Sequence, residues 1–145
     1  MISQTAEYAL RAIVFLADRN DRPCTNARLA EATQIPEGYL AKVMQILGRA
    51  ELVFAQRGLK GGFTLAYDAN DITVLEVVNA VDPVNRIHTC PLGFHGVELC
   101  LLHQKLDDVA RAAEETFGKT TIADILAVPR HRRPLCPFPF ESPDS

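Results

Sequence analysis

Apolar residues recur at helical spacing in three segments of the first fifty positions. The first predicted helix covers residues 3 to 18, and Ser3 can cap it. Thr25 can cap a short second helix, and Pro36 suits the first turn of a third helix that runs to about Ala50. A tight turn separates the second helix from the third. The pattern therefore predicts a helix-turn-helix unit preceded by one supporting helix.

The periodicity changes after the third predicted helix. Residues 52 to 55 and 63 to 66 are typical of short strands, and the glycines between them suit a turn, so we predict a β-hairpin. Thr73 and Glu76 have the spacing of a capping box that opens a fourth helix, which ends before Pro83. The fold class predicted is mainly α with a small β-hairpin, a winged helix-turn-helix covering residues 1–83.

The second half of the chain has a different organisation. Residues 84–98 form a predicted irregular loop, residues 99–128 a long helix and a final short helix, and residues 129–145 a proline-rich extended tail. Apolar positions of the long helix alternate steps of three and four, which suits a partner helix. This predicted dimer seam consists of Leu99, Leu102, Leu106, Val109 and Ala113. Packing of the seam against its own domain is the alternative interpretation.

Composition and charge limit the classes of protein to which this chain can belong. The 145 residues are 48% hydrophobic, enough for a buried core, and apolar runs are too short to span a bilayer, so we expect a cytoplasmic protein without membrane contact. The net charge is −3, yet residues 22–67 carry six basic and three acidic residues. This local charge of +3 beside a remainder of −6 is a mild indication of phosphate binding. The chain lacks the usual nucleophile, P-loop and dinucleotide motifs, so we predict that it is not an enzyme.

The winged-helix pattern predicts where double-stranded DNA would be contacted. The third helix is slim enough for the major groove, and glycines let the hairpin tip approach the DNA backbone. An arginine at that tip suits the negative potential of a narrow minor groove. The candidate DNA-binding residues are Arg28, Gly38, Tyr39, Lys42, Arg57 and Lys60. A protein-interaction module whose winged helix no longer meets DNA is the alternative from another class.

Several motifs together resemble the IscR/NsrR/CymR family of bacterial winged-helix repressors. They are Tyr8-Ala9-Leu10, Ile35 with Tyr39-Leu40, the wing Arg57-Gly58-Leu59-Lys60-Gly61-Gly62-Phe63-Thr64-Leu65, and Ile72-Thr73-Val74 with Val77-Val78-Asn79-Ala80-Val81. The resemblance extends from residue 1 to about residue 128. It implies a homodimer built on the long helix, a pseudo-palindromic operator, a third helix in the major groove and Arg57 in the minor groove.

The resemblance also implies a sensor in the loop before the long helix. Many relatives hold an iron–sulfur cluster there with three cysteines, because thiolates are soft, anionic ligands. This chain has Cys90, Cys100 and His103, whereas the middle cysteine is absent and His95 stands roughly between. In some relatives an acidic residue from the first helix of the partner subunit completes the cluster, and Glu7 occupies the matching place.

Three interpretations of this loop stay open. Cys90 and Cys100 hold an iron–sulfur cluster with His103 or Glu7 of the partner subunit; or Cys90, His95, Cys100 and His103 bind zinc; or no cofactor binds. In the third case the two thiols are inert or form a reversible disulfide. The other two cysteines are expected to be a buried packing residue at Cys24 and an exposed thiol in the tail at Cys136.

Overall fold

The computed structural model describes residues 2–19 and 22–135. Six α-helices, one antiparallel hairpin and one short 3-10 helix make up these described ranges. In chain order they are α1 (Gln4–Asp18), α2 (Asn26–Thr33), α3 (Glu37–Arg49), β1 (Val53–Gln56), β2 (Gly62–Leu65), α4 (Val74–Val81), α5 (Leu101–Gly118), α6 (Ile122–Leu126) and the 3-10 helix Arg130–Arg132. No helix of the described residues is both long and apolar enough to cross a membrane.

Side-chain caps open the helices where the sequence predicts them. The Ser3 hydroxyl accepts a hydrogen bond from the Ala6 amide at 3.1 Å, and Thr25 accepts one from the Arg28 amide. Thr73 and Glu76 form the reciprocal capping box of α4. These bonds satisfy amides that have no partner inside the helix, so each cap fixes a helix start. The predicted caps and the hairpin are confirmed.

The core is built around α1, whose buried face contacts α2, α3, α4 and α6. Leu40, Met44 and Leu47 of α3 are fully buried against it. The chain closes the same core after α5, because the Ile122 amide donates to the Ile72 carbonyl at 2.9 Å and the Ile122 side chain is fully buried. The short helix α6 therefore packs with the winged helix, although it follows α5 in sequence.

The hairpin is attached to the chain just ahead of α2. Strands β1 and β2 pair from Val53 opposite Leu65 to Gln56 opposite Gly62. Beyond this pair, Cys24 and Phe63 exchange two backbone hydrogen bonds of 3.0 and 2.8 Å. The wing is thereby fixed to the start of the helix-turn-helix unit.

Helix α5 starts two residues later than the sequence predicts. Cys100 is its N-cap with an extended backbone, so Leu99 precedes the helix and is not one of its seam positions. None of the 18 residues of α5 is buried, and Leu102, Leu106 and Val109 are exposed. Helix α5 contacts α4, and its Phe117 packs against the core, but the apolar residues nearer its start remain exposed within the described chain.

The predicted tail is folded back as far as the structure describes it. Residues 130–132 form the 3-10 helix, Arg133 donates to Asp18 at 2.5 Å, and Leu135 packs against the core. The expectation of an extended tail is therefore wrong up to Leu135, because the ion pair joins this segment to α1 and Leu135 packs against the core. Residues 136–145, including Cys136, lie outside the described residues.

Candidate nucleic-acid interface and cysteine loop

Helix α3 has one buried face and one exposed polar face. Gly38, Lys42 and Gln45 are exposed, opposite the buried side chains that anchor the helix. Their spacing places them on one side of the helix, where a groove-binding helix presents its base-reading residues. Gln45 is not among the residues predicted from the sequence, although its position three residues after Lys42 on the same face is the signal that identifies it.

Tyr39 is predicted to contact DNA, but in this structure its side chain contacts α1. Its hydroxyl is hydrogen-bonded to the Thr5 hydroxyl, and its ring meets the Tyr8 ring edge-on at 5.4 Å between centroids. The side chain is still 38% exposed. In this structure Tyr39 therefore fastens the first turn of α3 to α1, and a phosphate contact would add to that contact or replace it.

Arg11 links α1 to the turn before α3. Its guanidinium lies over the Tyr8 ring and donates to the Thr33 carbonyl at 3.1 Å. It also pairs with Glu7 at 2.8 Å. Glu7, a candidate cluster ligand for the other subunit, is thus held by an ion pair within its own chain, with its side chain about half exposed.

The wing presents cations at its tip. Arg57 and Lys60 are both exposed, and Leu59 between them is fully exposed. Arg28 is partly exposed on α2, near the strand-like segment that holds the wing. The predicted DNA-binding residues therefore come from three consecutive elements, α2, α3 and the hairpin.

Cys90 is buried in a tight turn of the loop. Burial raises the pKa of its thiol, but hydrogen bonds from the backbone amides of Leu92, Phe94, His95 and Gly93 outweigh that effect and leave the pKa below its ordinary value. Amides that point at the sulfur stabilise the thiolate, which is the form that binds metals and reacts with oxidants. This cradle is not visible in the sequence pattern.

The other candidate ligands do not gather around Cys90. The Cys100 sulfur lies 3.2 Å from Nδ1 of His103, so these two form a pair, while His95 is exposed. Among the described residues, no three His, Cys, Asp or Glu side chains are grouped so that they could hold a metal ion. The predicted four-residue zinc set is therefore not assembled in this chain, because His95 turns to solvent. The thiols of Cys90 and Cys100 and the imidazole of His103 are suitable ligands for an iron–sulfur cluster. The described residues of one chain do not bring enough of them together to hold it.

Cys24 matches its predicted packing role. It is fully buried, and burial raises the pKa of its thiol despite the nearby Arg19 and Arg28. A protonated, buried thiol is a poor nucleophile.

Arg86 makes several side-chain contacts and is not among the residues predicted from the sequence. It donates to both carboxylate oxygens of Asp107, at 2.7 and 2.9 Å, and to Glu114 at 2.8 Å. These contacts join the segment after α4 to the middle of α5. No local pattern reveals them, because the partners are 21 and 28 residues away.

Comparison with known proteins agrees with this architecture. A family model described as Rrf2, iron-dependent transcriptional regulator, matches residues 2–128. The chain belongs to the Rrf2 family. Rrf2 proteins are transcriptional regulators and not enzymes, which confirms the predicted family, the winged-helix fold and the non-enzymatic class, and DNA binding follows from that membership.

Three relatives of this Rrf2 protein share 23 to 29% sequence identity with it. It is 29% identical over 133 residues to a protein of Aquifex aeolicus (strain VF5) provisionally named an HTH-type transcriptional regulator, covering 88% of this chain and 92% of that protein. T. potens IscR superimposes with a TM-score of 0.73 at 24% identity, covering 87% of this chain and 85% of the other. CymR, named the global cysteine regulator of B. subtilis, superimposes with a TM-score of 0.72 at 23% identity, covering 86% and 95%. At these identities the two structures establish the fold alone.

Proposed function

We propose that this Rrf2 protein is a homodimeric, sequence-specific regulator that represses transcription by occupying a pseudo-palindromic operator. The observation that carries the proposal is α5, an 18-residue helix of which no residue is buried. An isolated helix is marginal in water, and most of its stability in a protein comes from burying an apolar face. A second copy of α5 would supply that face.

The surface beside α5 supports pairing with a second copy. Leu106, Val109 and Ala113 line one wall of a groove of about 540 Å³, whose other walls come from α1, α4 and the residues after α4. Leu102 extends the apolar stripe one turn towards the start of the helix. Burial of such a stripe between two chains is favourable by roughly 25 cal/mol for each Å² of apolar area.

The DNA contacts follow from the exposed residues. Each subunit would lay α3 in the major groove, with Gly38 allowing close approach and Lys42 reaching a phosphate or a guanine edge. Arg57 would enter the adjacent minor groove, while Lys60 and Arg28 contact flanking phosphates. Tyr39 holds the first turn of α3 in place for this docking.

Chemistry at the cysteine loop is proposed to set the affinity for the operator. The amide cradle favours the Cys90 thiolate, and the Cys100–His103 pair starts α5, so any ligand or oxidation event there acts next to the dimer helix. A complete cluster would need a further donor, for which Glu7 of the partner subunit is the candidate. An iron–sulfur cluster, zinc and a metal-free thiol pair are the three states to distinguish.

A titration of labelled duplex DNA followed by fluorescence anisotropy tests the DNA-binding function. We expect binding that weakens steeply as salt rises from about 50 to 200 mM, because contacts to phosphates release counterions. Light scattering of the free protein should give the mass of two chains. A monomer, or a protein that binds no duplex at low salt, would favour the interaction-module alternative.

An anaerobic absorption spectrum with metal analysis tests the sensor. Broad visible bands with iron and sulfide identify the cluster, zinc without colour identifies the second state, and a metal-free protein identifies the third. Operator affinity is then compared between the freshly purified protein and the same protein after chelation or reduction. Equal affinities would contradict the sensor role while leaving the DNA-binding function intact.

A further inference from the structure

Arg86 joins two parts of the molecule through one side chain. Its Nε and one terminal nitrogen donate to the two oxygens of Asp107, and the other terminal nitrogen donates to Glu114 at 2.8 Å. The Ile87 amide adds a fourth bond, at 2.8 Å, to Oδ1 of Asp107, the oxygen that also accepts from Nε of Arg86. The paired geometry uses the planar fork of a guanidinium, which a lysine cannot reproduce.

The contacts lie on a different face of α5 from the apolar stripe. Asp107 and Glu114 are seven residues apart, so they point to the same side of the helix, whereas Leu106 and Val109 lie about 100° or more around it. The side chains of Arg86 and Asp107 are largely shielded from solvent, at 23% and 14% exposure. One face of α5 is therefore held by the Arg86 cluster while the apolar stripe stays exposed.

Arg86 lies in the connection between the winged helix and α5, so its bonds affect how these two parts are oriented. It lies between α4, which ends at Val81, and the cysteine loop, in the stretch through which the winged helix continues into α5. The Val84 amide donates to the Asn79 side chain at 3.0 Å, so the stretch is fixed to α4 as well. These bonds restrain the angle between the winged helix and α5, in addition to the contacts between α4 and α5 and the packing of Phe117 against the core.

That angle decides how far apart two recognition helices stand in a dimer. Half-sites lie about 34 Å apart along the duplex, and one base pair corresponds to about 3.4 Å. In a symmetric dimer each recognition helix lies about half of that distance, roughly 17 Å, from the two-fold axis, so a tilt of about 10° moves it by about 3 Å. A small loss of angular restraint is therefore equivalent to one base pair of spacing.

We propose that Arg86 is a positioning residue that fixes the half-site spacing of the operator, through its ion pairs with Asp107 and Glu114 on α5. The inference rests on the proposed dimer. Arg86 contacts no base and leaves the sequence preference of each half-site to α3 and the wing. Its removal broadens the spacings that the dimer accepts without changing the half-site itself.

Selection from a library of randomised DNA duplexes tests the proposal with the full-length protein. Wild type, Arg86→Gln, Arg86→Lys and the control Arg111→Gln are compared; Arg111 pairs with Asp108 on α5 alone. We expect wild type and the control to enrich two half-sites at one spacing. Both Arg86 variants should enrich the same half-site, and the affinity ratio between the best spacing and one base pair more or less should fall about fivefold or more.

The outcomes separate this inference from the proposed function. A wild type that enriches no paired half-sites overturns the dimer proposal and this inference together. A folded Arg86→Gln that keeps the wild-type affinity ratio overturns only the role of Arg86. Should circular dichroism show that Arg86→Gln is unfolded, Glu114→Ala carries the same expectation, since it removes the bond from Arg86 to Glu114 and leaves Asp107 paired.

Discussion

A Cβ atom placed on Gly62 would lie 2.5 Å from the carbonyl carbon of Cys24, which is closer than any side chain allows. The Gly62 backbone also has a φ of +147°, which residues with a side chain rarely adopt. This close approach lets Phe63 pair with Cys24 and fixes the wing against the segment before α2. The third glycine of the wing motif, Gly62, therefore has a structural role that is distinct from DNA contact.

Gly62→Ala is expected to detach the wing from the helix-turn-helix unit. Strain at φ and the clash with the Cys24 backbone should lower the free energy of unfolding by about 2 to 4 kcal/mol, measured by urea denaturation. Gly48→Ala is the control, since a Cβ there meets no atom within 4 Å. Equal stability of Gly62→Ala and wild type would contradict the close packing.

Gly38 allows DNA binding and folding stability to be separated. A Cβ on Gly38 or on Gly48 meets nothing within 4 Å, and both residues are in α3, so alanine at either site should stabilise the fold by up to about 1 kcal/mol. Only Gly38 faces the proposed groove contact at the start of the helix. We expect Gly38→Ala to bind the selected operator about tenfold or more weakly by anisotropy, and Gly48→Ala to bind as wild type does. Equal binding by the two variants would remove Gly38 from the interface.

Gln45 should determine one base pair of the operator. A glutamine side chain on the exposed face of α3 can bond adenine through two contacts, which discriminates by about 1 to 3 kcal/mol. Library selection with Gln45→Ala should lose the preference at one position of each half-site and keep the others. Gln104→Ala, an exposed glutamine on α5, should leave the whole motif unchanged. An unaltered motif with Gln45→Ala would exclude base contact by this residue.

The helix starts could be predicted from the sequence because the residues that determine them are close together in the chain. Ser3, Thr25 and the Thr73–Glu76 pair have the chemistry of caps, and each acts within three residues, so the helix starts are correct. The start of α5 is the exception. The apolar spacing continues through Leu99, but the extended backbone of Cys100 delays the helix to Leu101.

Interactions between distant residues explain what the sequence could not predict. The Cys90 cradle depends on how four consecutive amides turn, and Arg86 meets partners more than twenty residues away. Leu135 packs against the core, and the prolines next to it in the sequence indicate an extended tail instead. A sequence pattern shows which residues repeat at helical or strand spacing. These contacts instead join residues that are distant in the sequence and meet only in the folded chain.

The Arg86–Asp107 ion pair should make stability depend on pH in the acid range. Hydrogen bonds from Arg86 and from the Ile87 amide hold the pKa of Asp107 well below its ordinary value; Glu114 and His88 are the other titratable groups nearby. The unfolded chain, with an aspartate pKa of about 3.9, binds this proton at higher pH than the folded chain. The stabilisation is therefore complete above that pH and is lost as pH falls towards the depressed value.

Asp107→Asn should consequently flatten the acid limb of the stability profile. Thermal unfolding followed by circular dichroism between about pH 2.5 and 7 measures the limb, with the lower bound set well under the unfolded aspartate pKa. Wild type should lose melting temperature over this range more steeply than the variant. Asp108→Asn, which removes a carboxylate paired with Lys105 and Arg111 on the same helix, is the control. Parallel limbs for wild type and Asp107→Asn would contradict the depressed pKa.

Leu106 and Leu101 provide a matched test of the dimer seam. Both are exposed leucines of α5, at 52% and 69%, but five residues separate them, so they point about 140° apart around the helix. Leu106 lines the groove, whereas Leu101 does not.

A glutamate at position 106 would be buried without a partner between two chains, which should raise the dimer dissociation constant about 100-fold or more. Sedimentation velocity should therefore show monomers for Leu106→Glu and dimers for Leu101→Glu. If folded Leu106→Glu sediments as a dimer, the subunits pair through another surface, and the exposed face of α5 needs a different partner.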